Sequence, residues 1–163
     1  MAKALGPASV VDTNVAVVAE GRSDYVSERC RDACEEALKA LVEEGVIVVD
    51  EGGKIVAEYE TQLGHAPGGV GARFFKHVWN EQWRGEKVTQ VTITEADDER
   101  GFEELPPNEL DPSDRKFLAA AVVGEARILN AVDSDWSEQR RLTDDLRIDV
   151  VQLCPEHAKK TGA

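Results

Sequence analysis

The sequence predicts an α/β fold in which a parallel sheet carries helices on both faces. Three observations point there. Short apolar runs of strand type alternate with stretches of helical periodicity along most of the chain. The length of 163 residues with 42% hydrophobic content suits one domain, 1–163, with a sizeable core at about 8–153, and no internal repeat divides it. Two of the apolar runs also end on a carboxylate, Asp12 and Asp133, and open parallel sheets bind ligands outside the carboxyl ends of their strands.

The elements follow in order. Residues 9–11 are a short β-rich run. Ser27 caps a helix whose apolar residues Cys30, Ala33, Cys34, Ala37, Leu38, Leu41 and Val42 recur at helical spacing, and Gly45 ends it. Residues 46–49 are a continuous apolar strand, 50–53 a turn, and 54–63 a helix closed by Gly64. Residues 70–83 read as helical, and Phe74, Phe75, Val78, Trp79 and Trp83 are too apolar for a wholly solvated element. Trp79 and Trp83, one turn apart, read as core residues rather than an exposed platform. Residues 87–94 alternate like a strand. After them, 94–111 read as a mobile acidic loop with Pro106 and Pro107 inside it. Asp111 as cap and Pro112 in the first position start a helix through about 125. A strand at 128–132, a helix at 134–144, a strand at 148–151 and a short tail at 154–163 complete the chain.

Charge and cysteines narrow the function classes. The formal charge of −13 opposes binding to phosphate backbones, which depends on Lys and Arg, yet the charge is unevenly spread. Residues 94–111 hold eight carboxylates against Arg100 alone, whereas 64–93 hold Arg73, Lys76, Arg84 and Lys87 against Glu81 and Glu86. No run approaches the roughly 20 apolar residues that span a bilayer, and no secretory start is evident, so the expectation is a cytoplasmic protein without a membrane partner. Cys30, Cys34 and Cys154 are too few and too irregularly spaced for a disulfide framework and read as reduced thiols.

Five acids make the most informative set: Asp12 after the first strand, Glu58 on the helix after the second, Asp114 near a helix start, and Asp133 and Asp135 after a later strand. Each alone has an ordinary explanation as a turn residue, a solvated helix carboxylate or a cap. Together they converge on one crevice and read as a site for a hard divalent cation, Mg2+ or Mn2+, which takes oxygen ligands. Asp12, Asp114, Asp133 and Asp135 are the expected metal ligands, and Glu58 joins them as a catalytic acid. Thr13 and Asn14 are expected to support Asp12. Arg115 and Lys116, beside Asp114, are expected phosphate contacts, as are Arg73 and Lys76, which follow a glycine-rich joint.

These residues also carry a resemblance. The segments Val10-Val-Asp12-Thr-Asn14, Glu58 after strand and turn, Asp111-Pro-Ser-Asp114-Arg-Lys-Phe, and Asn130-Ala-Val-Asp133-Ser-Asp135-Trp resemble the PIN-domain nucleases, in particular the free-standing bacterial type. The likeness spans residues 8 to about 153. It departs at Ala131, where a Thr or Ser is common. It implies a three-layer α/β/α fold with a parallel sheet of about five strands, and metal-dependent endonucleolytic cleavage of single-stranded RNA or, less often, single-stranded DNA, with water attacking. It further implies a toxin of a toxin-antitoxin pair or an antiviral defence effector, with an antitoxin, a defence-complex protein or a second copy as protein partner. Rival classes are a phosphoacceptor receiver using Asp12 and Asp50, a catalytically silent PIN-like binding module, and a DNA flap nuclease. The receiver lacks its paired acids and late lysine, and the flap nuclease lacks room for DNA-binding additions.

Overall fold

A computed structural model describes residues 7–23 and 25–158. Five strands, β1 (Ser9–Val11), β2 (Ile47–Asp50), β3 (Val88–Val91), β4 (Arg127–Asn130) and β5 (Val150–Gln152), form one all-parallel sheet in the order β3-β2-β1-β4-β5. The helices are α1 (Thr13–Ala19), α2 (Glu28–Glu44), α3 (Lys54–Leu63), α4 (Val70–Glu81), α5 (Arg115–Gly124), α6 (Asp135–Glu138), α7 (Arg140–Asp145) and α8 (Pro155–Ala158). The result is the expected three-layer α/β/α arrangement: α5 lies across β1 to β4, and α1 to α4 pack on one another, with α3 also reaching β2.

Burial explains the sequence pattern. Val10 and Val11 of the central strand are fully buried, so β1 reads as a continuous apolar run. Helix α5 buries Phe117, Leu118, Ala119, Ala120 and Ala121, and its small residues let its backbone approach the sheet closely. Gly71 serves the same purpose between α1 and α4, because a Cβ there would lie 2.1 Å from the Ala16 carbonyl oxygen. Local caps fix the helix starts. The Ser27 hydroxyl accepts from Cys30 N at 3.1 Å, and the Asp50 carboxylate accepts from Lys54 N and Ile55 N at 2.9 and 2.8 Å. With both oxygens engaged and the residue buried, Asp50 caps the start of α3. The start of α4 is capped from a distance, by the buried Glu20 carboxylate accepting from Gly69 N and Ala72 N at 2.9 and 2.7 Å.

Several expectations are corrected. Helix α5 begins at Arg115 rather than Asp111; Asp111 closes a turn by accepting from Ser113 N at 2.9 Å and Ser113 Oγ at 2.8 Å. The helix expected over 134–144 is broken at Gln139 into α6 and α7. The acidic segment is not simply solvated. Phe102, Leu105 and Leu110 are buried, Glu95 bridges Phe102, and Arg100 Nε donates to the Leu105 carbonyl at 2.8 Å. Its apolar residues anchor it to the core while its charges face water.

The cysteines are not all reduced. Cys30 and Cys154 form a disulfide that ties α2 to the segment before α8, across a sequence separation of 124 that no local spacing reveals. Cys34 is free and buried, with its Sγ 3.9 Å from that of Cys154, and burial pushes its thiol up to about 12. Residues 159–163 of the expected tail lie outside the described residues. No helix among the described residues is long and apolar enough to cross a membrane.

Candidate metal centre

Strand order decides where a site can form. The sheet runs outward from β1 to β2 and β3 on one side and to β4 and β5 on the other, so the lateral order of the connections switches between β1 and β4. A crevice opens outside the carboxyl ends at such a switch point. Asp12 immediately follows β1, and its N–H donates to the Leu129 carbonyl of β4 at 3.0 Å. Asp133 follows β4 after a short turn, and Asp114 stands at the N-terminus of α5. One carboxylate oxygen from each of Asp12, Asp114 and Asp133 lies within 4.8 Å of the others.

The electrostatics of this trio are unfavourable without a cation. Asp12 and Asp114 are only 4% and 7% exposed, and none of the three forms an ion pair with Lys or Arg among the described residues. Burial, opposed by the Trp136 hydrogen bond and reinforced by the nearby Asp133 charge, raises Asp12 to about 6. Burial and the Asp12 and Asp133 charges raise Asp114 to about 9, helped by hydrogen bonds to Asp133 and Asp135 that favour its protonated form. Three carboxylates forced together in this way form an all-oxygen donor set, the chemistry that hard divalent cations prefer.

Asp12 and Asp133 are held in place by Trp136, Asn14 and Asn130, of which only Asn14 was expected. The buried indole of Trp136 donates from Nε1 to Asp12 Oδ2 at 2.8 Å. Asn14 N donates to Asp12 Oδ1 at 3.3 Å, as expected of a supporting residue, but its side chain does more. Asn14 Oδ1 accepts from Ala131 N and Val132 N at 2.9 and 3.1 Å, while its Nδ2 donates to Asn130 Oδ1 at 3.0 Å. Asn130 Nδ2 in turn donates to the Asp133 carbonyl at 2.9 Å. Asn14 and Asn130 thus fix the turn that presents Asp133 against the end of β1. The Ala131 position, where a hydroxyl was missing, is braced through its backbone instead.

The remaining predicted residues are distributed differently. Glu58 lies beside the trio but outside it: its Oε2 accepts from the Thr13 hydroxyl and its Oε1 from Lys116 Nζ at 2.7 Å. Thr13 therefore supports Glu58 rather than Asp12. Asp135 borders the site through Asp114, and its Oδ2 accepts from Asp111 N at 2.9 Å. Lys116 is not a free phosphate contact, since Glu58 and the Ser113 carbonyl occupy it. Arg115 is not one either. It is buried and donates to the Asp98 carbonyl at 2.7 Å, the Asn108 carbonyl at 3.1 Å and Asn108 Oδ1 at 3.1 Å, which staples the acidic segment to α5.

Two cavities flank α3. One of about 440 Å³ is lined by Asp12, Thr13, Asn14, Glu58, Gln62 and Asp133. A larger one of about 880 Å³ lies between α3 and α4 and contains Arg73 and Lys76, the other two expected phosphate contacts, beside Trp79. Trp79 is 43% exposed and Trp83 71%, so the expectation that both belong to the core is corrected. No protein-family model, curated protein or solved structure matches the chain.

Proposed function

We propose that the protein is a metal-dependent phosphodiesterase of PIN-like type, acting as an endoribonuclease on single-stranded RNA. The observation that carries this reading is the convergence of Asp12, Asp114 and Asp133, from three separated chain segments, at the switch point of a parallel sheet. Turn and cap chemistry would account for each acid singly but gives no reason for the three to meet in a buried place. Two of them also sit well above the ordinary carboxylate range, a charge problem that a cation resolves.

The donor set fits Mg2+ or Mn2+, with Asp12, Asp114 and Asp133 as the residues that would hold it. When bound, such a cation supplies Lewis-acid stabilisation of a phosphoryl oxygen and makes water a competent nucleophile. The chain's own groups then do the positioning. Trp136 fixes one Asp12 oxygen, leaving the other to face the cleft with only a long contact from Asn14 N. Asn14 and Asn130 hold Asp133 in register with it. Glu58, which lines the cavity and pairs with Lys116, is placed to orient water or a phosphate oxygen.

The test is cleavage of labelled single-stranded RNA and DNA, side by side, with Mg2+ or Mn2+ and with chelator. The reading expects cation-dependent cleavage with RNA preferred, lost in Asp12→Asn and Asp133→Asn. Cleavage in chelator, or full activity in both variants, would overturn it. A toxin or antiviral setting in the cytoplasm, with an antitoxin, a defence-complex protein or a second copy as partner, is part of the same proposal. Co-expression with the product of the adjacent gene tests it: the setting requires that co-expression relieve growth arrest caused by the chain alone.

A further inference from the structure

The groove between α3 and α4 lies on the opposite side of α3 from the acidic cavity. Glu58 and Gln62 face the acids, while Ala57, Thr61 and Gly64 face the groove, so a single helix, about 10–12 Å across with its side chains, separates the two. Three aromatic rings stand in a row along α4 and its extension, at positions 75, 79 and 83. The Phe75 and Trp79 centroids are 5.9 Å apart and those of Trp79 and Trp83 6.2 Å, with neighbouring planes inclined at 55° and 79°. The row becomes more exposed along its length, from half-buried Phe75 to Trp83. Large aromatic rings left this open lose the stabilisation that burial would give them, and their amphipathic faces are the groups that binding surfaces enrich.

The charge beside the rings is the second observation. In a chain of net charge −13, this groove brings Arg73, Lys76 and His65 together with one acid, Glu60. Arg73 and Lys76 are exposed and form no ion pair among the described residues; Arg73 Nε makes one long bond to the Gly68 carbonyl at 3.4 Å. Stacking faces alternating with unpaired cations are the two components of sequence-tolerant recognition of single strands.

We propose that this groove is a binding track for single-stranded nucleic acid, with Trp79 and Trp83 as base platforms and Arg73 and Lys76 as phosphate contacts. The choice of nucleic acid as occupant rests on the nuclease reading of the neighbouring acidic site. The centroid spacings are too short for a base to slide between two rings, which needs about 7 Å, twice the roughly 3.4 Å stacking step. Bases therefore stack on the outward faces, and the strand crosses the crest of α3 to reach the acids. The track supplies affinity without base-edge contacts, so it favours unpaired strands over duplexes, whose bases are not free to stack.

The experiment measures binding apart from cleavage. Fluorescence anisotropy of a labelled 12-nucleotide oligo-U is followed in chelator, where no cation-dependent cutting occurs, with the full chain and a duplex of the same length as comparison. Trp79→Ala and Trp83→Ala should each weaken single-strand binding roughly 5- to 150-fold, and Trp79→Phe should restore most of the loss. In the double variant Arg73→Gln/Lys76→Gln, the slope of log affinity against log salt should flatten by about 1.4, or ~0.7 for each lost phosphate contact. Intrinsic fluorescence should be quenched on binding, since of the three tryptophans only Trp136 is buried away from the groove. Circular dichroism verifies that the variants fold. Unchanged affinity in both alanine variants, an unaltered salt slope, or a wild-type dimer that Trp83→Ala dissociates would overturn the track. Cleavage with an intact cation response alongside such a result would leave the nuclease reading standing, so the two can fail separately.

Discussion

Replacing Asp12 by Asn should make the cation-free protein more stable while abolishing its activity. Asp12 is held at about 6 in the fold against an ordinary value of 3.8, because burial disfavours its charge. An acid whose folded value is raised binds protons more tightly when native, so stability falls as pH rises from about 4 through about 6 and stays low above that. The difference is worth about 3 kcal/mol at pH 8, roughly half that at pH 5 and almost nothing at pH 3.5. Asn keeps an oxygen to accept from the Trp136 indole and gives up the long contact from Asn14 N, so the substitution chiefly removes the charge. For a chain of this length about 3 kcal/mol corresponds to a rise in Tm of about 6–12 °C. The assay is thermal unfolding of both proteins in chelator at the three pH values, repeated with Mg2+. With cation at one hundred times its Kd, the wild type should gain about 2.7 kcal/mol, and Asp12→Asn should gain far less, having lost a ligand. Equal Tm in chelator at pH 8, a difference that persists unchanged at pH 3.5, or an equal Mg2+ shift in both proteins would refute the assignment of Asp12 to a crowded cation site.

Two further perturbations test the scaffold. The Cys30–Cys154 disulfide closes a loop with a sequence separation of 124, so chain entropy alone puts its contribution at up to about 5 kcal/mol. Dithiothreitol should lower Tm accordingly, and thiol titration of the denatured protein should find one free thiol before reduction and three after; three before reduction would remove the bond from the picture. Arg115→Ala should cost about 3 kcal/mol by leaving the Asp98 and Asn108 backbone carbonyls unpaired, and should make the acidic segment the first point of protease attack. An unchanged melt with the same cleavage pattern as wild type would show that Arg115 staples nothing.

Much of the fold was legible because its signals are local. The helical spacing of Cys30, Cys34, Leu38 and Leu41, the Ser27 cap and the continuous apolar strand at 47–49 each depend on residues within a turn or two of one another. What was misread depended on partners far along the chain. Glu20 caps α4 from 49 residues away, and Cys30 pairs with Cys154 across most of the chain. The acidic segment was misjudged for another reason. Eight carboxylates dominate its composition, but Phe102, Leu105 and Leu110 are enough to bury one side of it. The two tryptophans show the converse: their helical spacing fits a core face, yet Trp79 lines an open groove and Trp83 lies exposed beyond the end of α4.

At the acidic site the same distinction separates the acids from their neighbours. Asp12 and Asp133 were readable because a carboxylate after an apolar strand run can only emerge at the sheet's carboxyl edge. Asn14 was readable as a support of Asp12, but its bracing of the Asp133 turn was not, nor were the roles of Trp136 and Asn130, since indole and amide side chains at these positions have equally good local uses in turns and caps. Helical geometry turns Arg115 and Lys116 to partners within the chain. Successive residues of a helix point about 100° apart, so being next to Asp114 in sequence directs a side chain away from it. Asp114 turns to the acidic trio, Arg115 to the carbonyls of the acidic segment, and Lys116 to Glu58 on α3. One short run thereby links the candidate metal centre, the segment bordering it and the helix that separates it from the aromatic groove. The cations closest to the acids in sequence are committed to this framework, whereas Arg73 and Lys76, in the groove across α3, are exposed and form no ion pair among the described residues.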